Sequence, residues 1–169
     1  MKATGLAALV LLLAACSSSS PAHAIASPSP HVFAGGCAGT VLTEAEPPVW
    51  SQGGWSHATG APWPVPWAMA TPGDAVAFVF ANQLVAGTSP RSDGSANKVL
   101  WVVRDPQAFV VEGRPLGQSQ PVITMAGGPS IVDVPTAGCW TFQVIEGQPG
   151  AEHRSEINLE VLPAGTLPA

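Results

Sequence analysis

Residues 133–144 read Asp133-Val-Pro-Thr-Ala-Gly138-Cys-Trp140-Thr-Phe142-Gln-Val144. A turn carrying Pro and Gly gives way to strict alternation. Trp140, Phe142 and Val144 fall on one face, and Cys139, Thr141 and Gln143 on the other. Side chains of a strand point to opposite faces with period two, so Gly138 to Glu146 is predicted as a strand with one face in a core.

The same pattern recurs on both sides of it. Glu156 to Val161 alternates Ile157, Leu159 and Val161 against Glu156, Asn158 and Glu160. Asp74 to Ala81 places Val76, Phe78 and Phe80 on one face. Lys98 to Arg104 is apolar almost throughout, as a central strand is. Ala108 to Glu112 and Val122 to Ala126 are shorter candidates. Pro72-Gly73, Ser89-Pro90, Asp93-Gly94, Gly127-Gly128-Pro129 and Gln148-Pro149-Gly150 punctuate them as turns.

Composition agrees. Gly and Pro contribute 18 residues each to a chain of 169, too many to leave long helices uninterrupted. With 46% apolar and 10% charged residues, the chain is not a disordered polyelectrolyte. The predicted fold class is all-β: an antiparallel immunoglobulin-like sandwich over residues 32–163, with a short tail at 164–169.

The immunoglobulin-like part of that expectation comes from a resemblance. The run 133–144 is similar to the E–F corner of immunoglobulin-like domains, with Trp140 where Tyr is common. Trp101 looks like the core Trp of strand C. Asn97-Lys-Val-Leu-Trp101, followed by 129–140, also resembles a group of uncharacterised secreted or lipid-anchored bacterial proteins, over about residues 70–146. This implies a sandwich and no particular activity. One departure is visible: the strand at 74–81 has no Cys, and Cys139 has the opposite parity to Trp140. A bridge from Cys139 would therefore lie on the outer face or edge of a sheet.

The N-terminus sets the compartment. Lys2 precedes the apolar run Gly5 to Ala15, whose eleven residues would rise only ~16 Å as a helix. That is a signal h-region, not a membrane span. Leu13-Ala14-Ala15-Cys16 resembles the lipobox of bacterial lipoproteins. The resemblance implies a signal peptide at 1–15, diacylglyceryl (palmitate-type) modification of the Cys16 thiol, and a protein held on the extracytoplasmic side of a bacterial cell membrane. Residues 17–30, rich in Ser, Pro and Ala, read as a flexible, disordered tether with a span of ~20 Å; the lipidated Cys and tether together cover 16–31.

With Cys16 lipidated, Cys37 and Cys139 remain, and in an oxidising compartment an even remainder reads as a disulfide. From Cys16 onward the chain carries five Lys+Arg against eleven Asp+Glu, a formal charge of −6. No basic cluster is present, so nucleic acid is not an expected partner. Membrane attachment falls to the acyl chains.

Catalytic patterns are sparse. Gly-x-Ser-x-Gly, a zincin helix and a phosphate loop are all absent from the sequence. A cupredoxin would need a His and then a Met closely downstream of its Cys; Cys139 is followed by His153, fourteen residues on, and by no Met. No cofactor or metal is expected. His23 and His31 fall in or beside the tether, and Arg104-Asp105 reads as a solvated pair at a strand end.

The unusual segment is 50–67. It holds Trp50, Trp55, Trp63 and Trp67, four of the six tryptophans, with His57 and the run Pro62, Pro64, Pro66. Such a path favours polyproline geometry over a sheet ladder. Its rings either cap the core or present an aromatic platform to a sugar, a peptide or the membrane interface. The expected function is a lipid-anchored binding or structural module of the cell envelope, not an enzyme, with the membrane as partner and an envelope glycan or protein as candidate ligand. The rival is an extracytoplasmic enzyme or enzyme inhibitor on the same scaffold, with a site near 50–67 and His57 or His153 close to an acid.

Overall fold

The computed structural model describes residues 32–56, 61–81, 83–105 and 108–166. The expected signal peptide at 1–15, Cys16, the expected tether and His57 lie outside the described residues. Two sheets face each other, and among the described residues the only helical element is one 3-10 turn, Val49–Ser51.

The alternation at 138–146 builds the first sheet. Strand β10 (Gly138–Glu146) lies between β7 (Phe109–Pro115) and β11 (His153–Leu162), with β8 (Ile123–Ala126) and β5 (Leu84–Val85) outside, in the order β5-β11-β10-β7-β8. Trp140, Phe142 and Val144 are buried between the sheets, opposite Ile157, Leu159 and Val161 of the same layer. At the corner before β10 the Trp140 indole Nε1–H donates to the Thr136 carbonyl at 2.9 Å, fixing the ring against its own turn. Pairing is antiparallel except at the margin, where β5 runs parallel to β11.

The second sheet contains β1 (Val32–Phe33), β2 (Leu42–Thr43), β3 (Trp67–Met69), β4 (Ala75–Val79), β6 (Lys98–Val103) and β9 (Pro129–Ile131), in the order β1-β2-β3-β4-β6-β9. All of β4 is buried. Ala75, Ala77 and Val79 face the first sheet, while Val76 and Phe78 face a second apolar cluster on the outer side. β6 divides likewise, with Val99, Trp101 and Val103 inward and Leu100 and Val102 outward. That two-sided burial is the physical reason for its near-continuous apolar run. Trp101 meets Phe142 across the interior at 5.5 Å between ring centroids.

Two expectations change. Trp101 is a core Trp, but β6 lies in the sheet opposite β10, and the strand hydrogen-bonded to β10 in the strand C position is β7. The Trp-rich segment also ends in sheet: Trp67 opens β3 and pairs with Thr43 and Phe78. The last Pro is Pro66, so from Trp67 onward the backbone can donate to the ladder.

Cys37 and Cys139 are bridged, with Cα atoms 5.9 Å apart and 102 residues of separation. Cys139 is on the face of β10 opposite Trp140, as its parity requires. The bridge pins the N-terminal segment against β11. Glu160 donates its N–H to Gly35 at 2.8 Å, and Cys37 donates to Asn158 at 3.2 Å. Gly36 between them must be Gly, since a Cβ would stand 2.2 Å from the Thr40 carbonyl oxygen. Further along the same edge Thr71 and Glu156 exchange two bonds of 2.9 Å, and Ala86 donates to Leu162. The edge of β11 is thus covered over most of its length, which removes it as a template for aggregation.

Asn97 ties the sheets at one margin. It is buried, and its amide accepts from the Val85 N–H (3.0 Å) and Arg91 Nη1 (2.8 Å) and donates to the carbonyls of Val85 (2.7 Å) and Val132 (3.0 Å).

Replacing both bridged cysteines by Ser should lower unfolding free energy by up to ~4.7 kcal/mol, the chain-entropy value for closing about 100 residues. Urea titrations of the variant and the oxidised protein measure this, and coincident curves would refute a stabilising role for the bridge.

Candidate functional site

The outer face of the six-stranded sheet is apolar and has to be covered. Residues 44–56 and 61–66 lie across it as a lid. Trp63 is 1% exposed, and with Val65 and Trp67 it packs on Val76 and Phe78. The lid is held by backbone and indole bonds at its ends. Trp63 N–H donates to Glu44 (2.8 Å), Val79 N–H to Pro66 (2.8 Å), and Trp67 Nε1 to the Ala45 carbonyl (2.7 Å). The 3-10 turn at 49–51 is closed by the Ser51 hydroxyl, which donates to the Pro48 carbonyl, while the Gln52 amide donates to the Pro47 carbonyl.

The four tryptophans therefore divide. Trp63 and Trp67 are buried and form the lid's own core, the capping alternative of the two that the sequence leaves open. Trp50 and Trp55 are half-buried at its margin. Trp55 packs against Trp63 and Phe78 at 5.5 and 5.1 Å between centroids, and stacks on Phe80 at 5.8 Å with planes 17° apart. Phe80 lies just past the end of β4 and is 40% exposed, and Lys98 Nζ sits 4.9 Å from its ring centre. At the other margin the Arg104 guanidinium lies 5.3 Å from the Trp50 ring centre. The accessible surface is a pair of aromatic margins, each carrying a cation.

Two polar groupings lie elsewhere, of which sequence reasoning foresaw only that His153 stands close to an acid. The first is a groove of about 550 Å³ at the seam between the sheets, lined in part by Thr40, Thr71, Glu156 and Asn158. Here Glu156 Oε1 accepts from Arg114 Nη2 (2.6 Å) and Gln143 Nε2 (3.0 Å), and Asn158 Oδ1 accepts from the Thr141 hydroxyl (2.7 Å). The alternation of β11 already turned Glu156 and Asn158 outward; their partners are set by strand register, which single-strand periodicity does not carry. The second grouping joins His153 Nε2 to Asp74 Oδ2 at 3.0 Å, while Asp74 Oδ1 accepts from Arg104 Nε at 3.0 Å. Arg104 thus pairs with Asp74 and not with its neighbour Asp105. All three side chains are a third or more exposed, so the pairs are solvent-screened. Among the described residues no three His, Cys, Asp or Glu side chains come together as a metal site, and no helix is long and apolar enough to cross a membrane.

No protein-family model, curated protein or solved structure matches the chain.

The division of the tryptophans is testable by truncation. Trp63→Ala should cost ~3–5 kcal/mol, as for a large core side chain. Trp50→Ala should cost only ~1 kcal/mol, the scale of an exposed cation–π contact. Thermal and urea unfolding of the two variants checks this; equal losses would make Trp50 part of the core.

Proposed function

We propose that the chain is a lipid-anchored extracytoplasmic binding or structural module of a bacterial cell envelope. On this reading Cys16 carries the diacylglyceryl group and the sandwich stands on residues 17–31. The single observation that carries it is the allocation of the three cysteines. Cys37 and Cys139 bridge each other, which suits an oxidising compartment and leaves Cys16, at the end of Leu13-Ala14-Ala15-Cys16, as the cysteine outside the bridge. The binding part of the reading is supported by the aromatic margins at Trp50 and Trp55, which stay partly open although the segment around them is core. An immunoglobulin-like origin is supported by the Trp140 indole bond to Thr136, which does what a corner Tyr hydroxyl does in those domains. It is limited to that corner, since β6 lies in the other sheet.

An enzymatic or inhibitory role is the second reading, and the His153–Asp74 pair favours it, because a carboxylate on an imidazole orients a general base. Against it, the second Asp74 oxygen is engaged by Arg104, so the cluster also serves as a clip between β4, β6 and β11.

Cys16→Ser should abolish incorporation of labelled fatty acid, and a variant that still incorporates it would exclude the anchor. Trp55→Ala should weaken retention of the protein on isolated envelope material, with the melting temperature of the His153→Ala variant as a control for surface substitutions. If His153→Ala removes retention and Trp55→Ala does not, the polar cluster is the site.

A further inference from the structure

We propose that the end of the sandwich carrying Phe80, Lys98 and Ile131 rests on the bilayer surface, so that the domain is oriented on the membrane and not merely leashed to it. The proposal rests on the lipid-anchor reading and adds to it a contact and a direction.

The direction follows from strand register. Val32 pairs with Thr43, Thr43 with Trp67, Trp67 with Phe78, and Phe78 with Leu100, so these residues form one row across the six-stranded sheet. Phe33, Leu42, Ala68 and Ala77 belong to the next row on one side. Walking from Phe33 back to Val32 therefore moves the same way as walking from Phe78 to Phe80. Phe80 donates its N–H to the Lys98 carbonyl, and Lys98 pairs with Ile131. The terminal row of the sheet is thus Phe80, Lys98 and Ile131, at the end toward which the backbone of β1 points at Val32. Only fifteen residues, 17–31, separate Cys16 from Val32.

The chemistry of that end suits a lipid interface. Phe80 and Ile131 are 40% and 50% exposed, and with Lys98 and Arg91 they line one open cleft of about 460 Å³. Single exposed apolar residues are ordinary on a soluble domain. Two in one cleft, beside a Lys extended over an aromatic ring and a second half-buried aromatic at Trp55, form an amphipathic rim. A ring and an aliphatic stem can enter the headgroup layer while the ammonium stays at the phosphates. Lys98 has no carboxylate ion-pair partner among the described residues, whereas Arg91 has Asp93 at 4.0 Å and bonds to Ser95 and Asn97. Asp93 keeps its charge, because the Ser95 hydroxyl and amide hold its carboxyl below the usual range. Lys98 is then the cation left to meet a phosphate. One such cation gives orientation and little affinity, which suits a protein whose attachment comes from its acyl chains.

The test uses the full lipidated chain in phosphatidylcholine vesicles, with either brominated or ordinary acyl chains. Ile131→Cys and Val110→Cys each add one thiol for an environment-sensitive fluorophore, the native cysteines being acylated or bridged. Val110 is exposed but lies on β7 near the opposite end, in register with Ile145 and through it Arg154. The label at 131 should lose most of its emission to bromine and shift to the blue, and the label at 110 should do neither. Adding Lys98→Glu should reduce the quenching at 131. If the protein sediments with the vesicles but neither label is quenched, the anchor stands and the contact is refuted. If it neither sediments nor incorporates labelled fatty acid, the anchor reading itself fails and the contact with it.

Discussion

A sheet that is apolar on both faces cannot be left as the outer layer of a sandwich in water. Val76 and Phe78 of β4 and Leu100 and Val102 of β6 point away from the interior between the sheets. Left exposed, they would form a patch of the size that drives association. The lid at 44–56 and 61–66 answers that constraint, and Trp is suited to it because one indole buries a large apolar area. Prolines keep the crossing extended without requiring a ladder partner for each residue. The aromatic margins at Trp50 and Trp55 are then where the lid runs out. The candidate binding surface is a by-product of covering the sheet.

Closure at the other side has a different physical basis. β11 has an edge that no full strand occupies, and three short pieces cover it: the segment around Gly36, Thr71, and β5. None of the three has the length to hold itself there by hydrogen bonds alone. The Cys37–Cys139 bridge supplies the missing restraint for the first, and Asn97, with four satisfied amide bonds, does so for β5. The bridge lies between residue 32 and most of the fold, so a displacement of the N-terminal segment reaches β10 and β11 through a covalent bond.

What the sequence made legible follows the same division. β10 and β11 read correctly because one face is core and the other polar, so period two survives in the letters. Trp140, Phe142, Val144, Ile157, Leu159 and Val161 were all placed inward from alternation alone, and all six are buried between the sheets. The bridge was legible too, because Cys37 and Cys139 remain once Cys16 is set aside, and parity puts Cys139 on the outer face. The lid was legible only as one of two alternatives for the Trp rings. β6 reads as central, but nothing in Lys98 to Val103 says that its second face is covered by Trp50, Trp55, Trp63 and Val65 and not by another sheet. Trp63 and Trp50 look alike in sequence, yet one is sealed and the other half-open. Arg114 and Glu156, or His153 and Asp74, meet only because strands far apart in sequence are adjacent in register.

The two outer faces of the sandwich consequently differ in what they can do. On the five-stranded sheet the polar side chains have already found each other: Arg114 and Gln143 both donate to Glu156, Arg154 donates to Gln143, and Thr141 to Asn158. Such pairs on an exposed sheet contribute little stability, ~0–1 kcal/mol each, but they use up the valences that proton transfer would need. A carboxylate accepting from both a guanidinium and an amide is a poor general base until a ligand displaces one of them. The lidded face is the reverse case. Phe80, Trp55 and Trp50 present ring faces and edges, which serve by contact and desolvation and need no spare hydrogen-bonding group. This asymmetry supports recognition or surface contact over catalysis, because a ring face can bind by contact where a carboxylate already engaged on both sides cannot take a proton.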